Sequence, residues 1–185
     1  MNRLKHTINI DTLRILYNSL LLSHINYCLS LWGHSSNRIF KLQKKALRII
    51  TLSKYNSHTE PLFKSLNLLK VKDLYELKIL KTYYNFCHGL LPTYFQKIVM
   101  KNNELRSRTT RQSTQLHVPA SNFTTVQQSI RYIIPKIVNS TSNDITEKIN
   151  THSIFGYSWF IKRKIIDNYN PICTNTNCFI CHSAL

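Results

Sequence analysis

Apolar and polar positions alternate along most of this chain with a helical period. Leu13, Leu16, Tyr17, Leu20, His24, Tyr27, Cys28 and Leu31 recur at spacings of three and four, which places them on one helical face. Asp11 and Thr12 stand ahead of the run, where N-cap residues belong. The pattern predicts one long helix ending near Trp32 and Gly33, with Gly33 as a left-handed cap. Few polar positions interrupt it, so burial on most sides is expected, with His24 as a hydrogen-bonded core residue. A second helix is expected from Asn37 through RIFKLQKKALRIITL. Ile39, Leu42, Ala46, Ile49 and Ile50 would form its apolar side. Arg38, Lys41, Lys44, Lys45 and Arg48 would form the other, five cations without an acid.

Thr59, Glu60 and Pro61 give a helix-start signal for a short helix to about Leu66. Val71, Leu74, Leu77, Leu80, Tyr84 and Cys87 then form an apolar stripe, with Lys72, Asp73, Glu76 and Lys81 facing away. Gly89 and Pro92 close that helix, and 92–100 reads as one more helical turn. Residues 101–114 are polar and aperiodic, a mobile loop or linker. Gln115–Pro119 and Ser129–Ile134 read as extended, from their alternation and from Pro119 and Pro135. A last helix is expected from about Ser153 to Asn168, carrying Lys162, Arg163 and Lys164. No internal repeat is present. These shifts divide the chain into 1–100, a basic linker 101–118, an extension 119–170 and a Cys-rich tail 171–185. The fold class is mainly α: a helical bundle, then a less regular extension with one or two short strands and a final helix.

Composition narrows the function. The 185 residues carry a formal charge of +17 from 25 Lys+Arg against 8 Asp+Glu. At 43% hydrophobic the chain has the means to bury a core despite that charge. Only three Gly argue against a Gly-rich phosphate loop, a dinucleotide fold and an immunoglobulin-like sandwich. The charge points to a polyanion, nucleic acid before anionic membrane. AT-rich coding inflates Lys (16 copies) more than Arg (9 copies), so Arg is the cleaner signal. The cations are uneven: residues 1–55 carry +8, and no later segment exceeds +3. Five Cys is an odd number, and residues 1–12 have no apolar signal core. This reads as an intracellular protein, nuclear or cytoplasmic, with reduced thiols and no secretion; the sequons at Asn122 and Asn139 are then chance matches. Arg14, Asn18, His24 and Asn26 interrupt the most apolar window, 13–31, too often for a membrane span.

The residues favour binding over catalysis. Two-metal phosphoryl transfer needs clustered carboxylates. Here Asp11, Glu60, Asp73, Glu76, Glu104, Asp144, Glu147 and Asp167 are scattered, and the nearest pairs read as solvated helix faces. Eight His come with no local signature of a hydrolytic triad, so no catalytic residue is assigned. The basic helix 38–48 fits nucleic-acid phosphates, which give salt-sensitive, sequence-independent affinity; the alternative is a solvated amphipathic face. Lys54, Arg106, Arg108 and Arg111 would assist. Trp32, Tyr55, Tyr83 and Tyr84 are candidates for base stacking, although helical spacing favours core packing. In the tail, Cys173, Cys178, Cys181 and His182 are zinc-ligand types at short but incomplete spacing, with His152 as a further ligand. The alternative is an incidental tail, and no other cofactor is indicated.

Several strings stand together in order: LYNSLLLSHINYCLSLWG (16–33), FKLQKKALRIITLSKYNSHTEPLFKSLNLLKVKDLYELKILK (40–81), LLPTYF (90–95), TRQS (110–113), SIRYIIPKIVN (129–139) and FIKRKII (160–166). This resembles the C-terminal, thumb and post-thumb region of non-LTR retrotransposon (LINE, jockey-like) reverse transcriptases, over roughly 5–167. Two departures are Val138, where the family's Pro-x-x-Trp-Asn string has Trp, and the unmatched Cys-rich tail. The resemblance implies a helical thumb over about 10–100 that grips a template–primer backbone. It also implies a palm domain as partner, since the family's Asp-Asp centre is absent here. The expectation is therefore a fragment of an RNA-directed DNA polymerase, a truncated copy or a gene-model piece starting at an internal Met, not an enzyme by itself. Without the palm, Ile98, Val99 or parts of the first helix would be left exposed. The alternatives are a folded remnant without function and a zinc-stabilised protein-interaction module.

Overall fold

The computed structural model describes residues 6–96, 98–105 and 110–170. The chain is mainly α, and among the described residues the only strand-like pairing is one antiparallel bridge between Lys101 and Leu116. Helices run in the order α1 (Ile10–Leu16), a π-helical stretch Tyr17–Leu22, α2 (Ser23–Asn26), α3 (Leu29–Trp32), α4 (Asn37–Ile50), α5 (Glu60–Ser65) and α6 (Val71–Cys87). They continue as α7 (Thr93–Gln96), α8 (Asn102–Leu105), α9 (Thr124–Gln127), α10 (Ile130–Ser140), α11 (Asn143–Glu147) and α12 (Ile154–Asp167). Two compact units result: residues 1–74 with 162–185, and residues 75–161. The boundaries expected at 100 and 118 do not coincide with them. The division falls inside α6 and α12.

In the first unit, Asn9 rather than Asp11 or Thr12 caps α1, accepting the Ile10 N–H at 2.6 Å. The expected single helix breaks at Tyr27 and Cys28. Cys28 takes the left-handed conformation (φ +47°), and Gly33 stays right-handed. Between Ile10 and Trp32 only Leu13, Tyr17, Ile25 and Leu29 are buried. Ile15, Leu20, Tyr27, Leu31 and His24 face solvent, so burial is one-sided and His24 is not a core residue.

α4 buries Gln43, Ala46, Leu47 and Ile50; Leu42, expected inside, is 58% exposed. Gln43 is 0% exposed and joins three segments. Its Nε2 donates to Tyr17 Oη and to the Leu69 carbonyl, both at 2.9 Å. Its Oε1 accepts the Val71 N–H at 3.0 Å, capping α6 from a distance. Burial pushes the Tyr17 phenol above its ordinary range, with the Gln43 bond opposing the shift. Asp73 does not simply face away. It accepts the Tyr169 hydroxyl, which itself accepts the Lys70 N–H at 3.1 Å. Lys70 Nζ pairs with Glu60 at 2.7 Å and lies 4.3 Å above the Tyr169 ring centre. Burial raises the Asp73 carboxyl, and the Tyr169 hydroxyl and Lys70 oppose it.

Three helices end in the same way. The N–H of Ser53 bonds the Arg48 carbonyl, that of Leu68 the Phe63 carbonyl and that of Leu90 the Asn85 carbonyl. The residue before each is left-handed: Leu52, Asn67 and Gly89, with Gly89 closing α6 as expected. Leu is the costly choice, because a Cβ crowds the following carbonyl by about 1–2 kcal/mol in this conformation.

The second unit packs around Tyr75, Ile79, Leu80, Tyr84, Ile134 and Tyr157. The Tyr84 ring lies 4.1 Å from His88 and 5.2 Å from Tyr157, and its hydroxyl donates to the His152 carbonyl at 2.8 Å. The stretch 129–134 is not extended: it enters α10, which runs through Pro135. Its β-branched residues mimic alternation, but Ile133, Ile134 and Val138 form a helical stripe that is buried. Leu116 is extended, and the Asn139 amide clasps its backbone, accepting its N–H at 3.0 Å and donating to its carbonyl at 2.8 Å. Part of the expected linker is therefore ordered: Asn102 and His117 N–H groups bond the Gln115 and Met100 carbonyls across 101–117. Val99, one of the residues named as exposed without a palm, is buried, while Ile15 and Leu20 of the first helix segment are exposed.

Candidate nucleic-acid interface

At about 100° per residue, Arg38, Lys41, Lys44, Lys45 and Arg48 span an arc of about 120° on the side of α4 opposite Gln43 and Leu47. The helix forms because its inward residues are apolar at helical spacing around one amide that has three partners. That leaves the cations outside. No acid occurs between Thr12 and Thr59 in the sequence. Neither Lys70 with Glu60 nor Arg163 with Asp167, two ion pairs among the described residues, involves this face.

The structure sorts these cations. Arg38, Lys41 and Lys45 are exposed, as is Lys54 in the following loop. Lys44 is half-buried, with its ammonium 4.4 Å from the Phe40 ring centre. Arg48 is half-buried and forks onto the Ser57 carbonyl through Nε at 3.0 Å and Nη2 at 2.9 Å. It therefore braces the loop 51–57. Arg111 is exposed and lies in the other unit. Arg106 and Arg108 lie outside the described residues, as do Cys173, Cys178, Cys181 and His182. His152 stacks its ring 6.3 Å from Phe160.

The aromatic candidates separate clearly. Tyr84 is core, Tyr83 stacks on Phe86, and Trp32 donates its indole N–H to the Tyr27 carbonyl at 2.7 Å. Tyr55 is 84% exposed. A further cation, Lys162, has its ammonium pKa lowered by burial and by Arg14. Gln43 was invisible to sequence reasoning. Its partners lie 26 to 28 positions away, and only an amide within an apolar stripe marks it.

Among the described residues no group of three or more His, Cys, Asp or Glu is placed to hold a metal, and no helix is long and apolar enough to cross a membrane. Comparison with protein-family models, with curated proteins and with solved structures finds no match.

Proposed function

We propose that this chain binds the backbone of a nucleic-acid duplex, RNA–DNA or DNA, through the outward face of α4. It would do so as the thumb-like part of a non-LTR retrotransposon reverse transcriptase whose palm carries the catalysis. The observation that supports this reading is the exposed, acid-free cation face opposite a fully buried anchor. Arg38, Lys41, Lys45 and Lys54 are the phosphate contacts, and Lys44 and Arg48 shape the surface they sit on. Contacts of this kind make affinity fall with salt. Four phosphates give a slope of log K against log salt of about −3.6. The test is fluorescence anisotropy of a labelled hybrid duplex titrated at several salt concentrations. Lys41→Ala with Lys45→Ala should flatten the slope by about 2 units. An unchanged slope in that double variant would sink the site assignment, and absence of binding at low salt would sink the function.

A further inference from the structure

Basic side chains explain attraction to phosphates but not the apolar surface beside them. Leu52 is 54% exposed and Tyr55 84% exposed, at the end of the cation face. This loop is not slack. Arg48 holds the Ser57 carbonyl with two N–H groups, and the Ser57 N–H bonds the Lys54 carbonyl at 3.0 Å. The Thr51 and Ser53 hydroxyls bond each other at 2.7 Å, and the Ser53 N–H bonds the Arg48 carbonyl at 3.0 Å. One aspect of this arrangement works against stability, and a second adds nothing to it. Leu52 holds a left-handed conformation that Gly or Asn adopts with less strain, as Gly89 and Asn67 do at the other two ends. Tyr55 keeps an aromatic face in water. A braced loop that presents two apolar groups beside exposed cations suits a flat apolar ligand attached to a phosphate chain.

We propose that the 51–57 loop is a stacking platform for an exposed nucleobase, so that the ligand is a duplex end or single-strand/duplex junction rather than duplex interior. Tyr55 takes the base face, Leu52 its edge, and Lys54 with Lys45 and Lys41 the flanking phosphates. Bases inside a duplex are covered by their neighbours and offer no free face. A junction offers one, and stacking on an aromatic tolerates any base. This inference rests on the proposed backbone binding and adds the part of the nucleic acid that is read.

The experiment uses the full chain and a labelled junction duplex. Unlabelled junction duplex and relaxed, covalently closed circular DNA, which has no ends, compete at equal base-pair concentration. The junction duplex should compete better by about 5- to 150-fold, the range that stacking of one base supplies. Tyr55→Ala should remove that preference and leave the affinity for circular DNA and the salt slope unchanged. Tyr55→Phe should keep it. Because Tyr55 is so exposed, the unfolding midpoint of Tyr55→Ala should match the parent. A 2-aminopurine at the junction should change its fluorescence on binding the parent chain and not on binding the Tyr55→Ala variant. Salt-sensitive binding with equal competition by both DNAs, or a preference that survives Tyr55→Ala, overturns the platform and leaves backbone binding standing. No binding to either DNA overturns both.

Discussion

Replacing Gln43 by Met removes the amide while keeping the length of the side chain. Three buried partners then lose their bonds: Tyr17 Oη at 2.9 Å, the Leu69 carbonyl at 2.9 Å and the Val71 N–H at 3.0 Å. Tyr17 and Val71 are 0% exposed and Leu69 4%, so water cannot replace the amide without opening the core. Each bond contributes about 1 kcal/mol net, and each orphaned buried group costs about 1–3 kcal/mol. Met returns part of this through its thioether and methyl. The expected loss is about 3 kcal/mol, a large share of a typical stability of about 5–15 kcal/mol. Urea unfolding followed by tryptophan fluorescence measures it, with Trp32 and Trp159 as reporters. Lys45→Met, on the outward face of the same helix, is the control and should not lose more than about 0.5 kcal/mol relative to the parent. The Val71 amide should also lose its protection from hydrogen exchange. A Gln43→Met loss below about 1 kcal/mol with the Val71 amide still protected would refute the three-segment anchor.

Leu52→Gly removes a left-handed Leu and adds Gly chain entropy, so a net stabilisation of about 0.5–1 kcal/mol is expected by thermal unfolding; a destabilised variant would contradict the strain argument. Asn139→Ala leaves both Leu116 backbone groups without partners, with an expected loss of about 2 kcal/mol and faster exchange at the Leu116 amide, while Asn139→Asp should keep only the accepted N–H. Burial raises the folded carboxyl pKa of Asp73, so the native state binds its proton more tightly than the unfolded chain does. The stability this contributes is complete below the unfolded carboxylate pKa of about 3.9 and is lost as pH rises through the raised folded value. Asp73→Asn should flatten that part of the stability–pH curve, and an unchanged curve would count against the assignment.

How much was legible depended on whether the deciding contact is local. Gly89, the start at Glu60 and Pro61, and α12 were readable because caps, Pro in a first turn and a 3.6 period act within a few residues. The cation face of α4 was readable for the same reason, since spacing alone puts like residues together. The inward face lies about one position from the apolar spacing. Gln43 is polar, yet it faces the core because Tyr17, Leu69 and Val71 complete its hydrogen bonds. The helix break at Cys28 carries no Gly or Pro signal at that position, and Gly33 nearby is the stronger stop signal in the sequence. In 129–134, β-branched residues imitate a strand until Val138 completes the helical stripe. Tyr55 and Tyr84 are chemically alike in a sequence; only burial separates a stacking candidate from a core ring.

The energetics of α4 bear on whether its cations serve the fold. Lys41 and Lys45 are four apart, as are Lys44 and Arg48, and Arg38–Lys41, Lys41–Lys44 and Lys45–Arg48 are three apart. Like charges at these spacings destabilise a helix by about 0.2–0.5 kcal/mol per pair at low salt. The Phe40 ring offsets part of this for Lys44, and the Ser57 carbonyl for Arg48. Lys41 and Lys45 have no such return among the described residues. If the fold alone governed these positions, replacing them would lower stability or leave it unchanged. On the present argument Lys41→Ala and Lys45→Ala raise the unfolding midpoint at low salt, by an amount that vanishes as salt is added, while the same variants weaken duplex binding. Stability and binding moving in opposite directions would identify a surface held at a cost for a polyanion. A fall in both would make the cations part of the fold and leave the proposed interface without its basis.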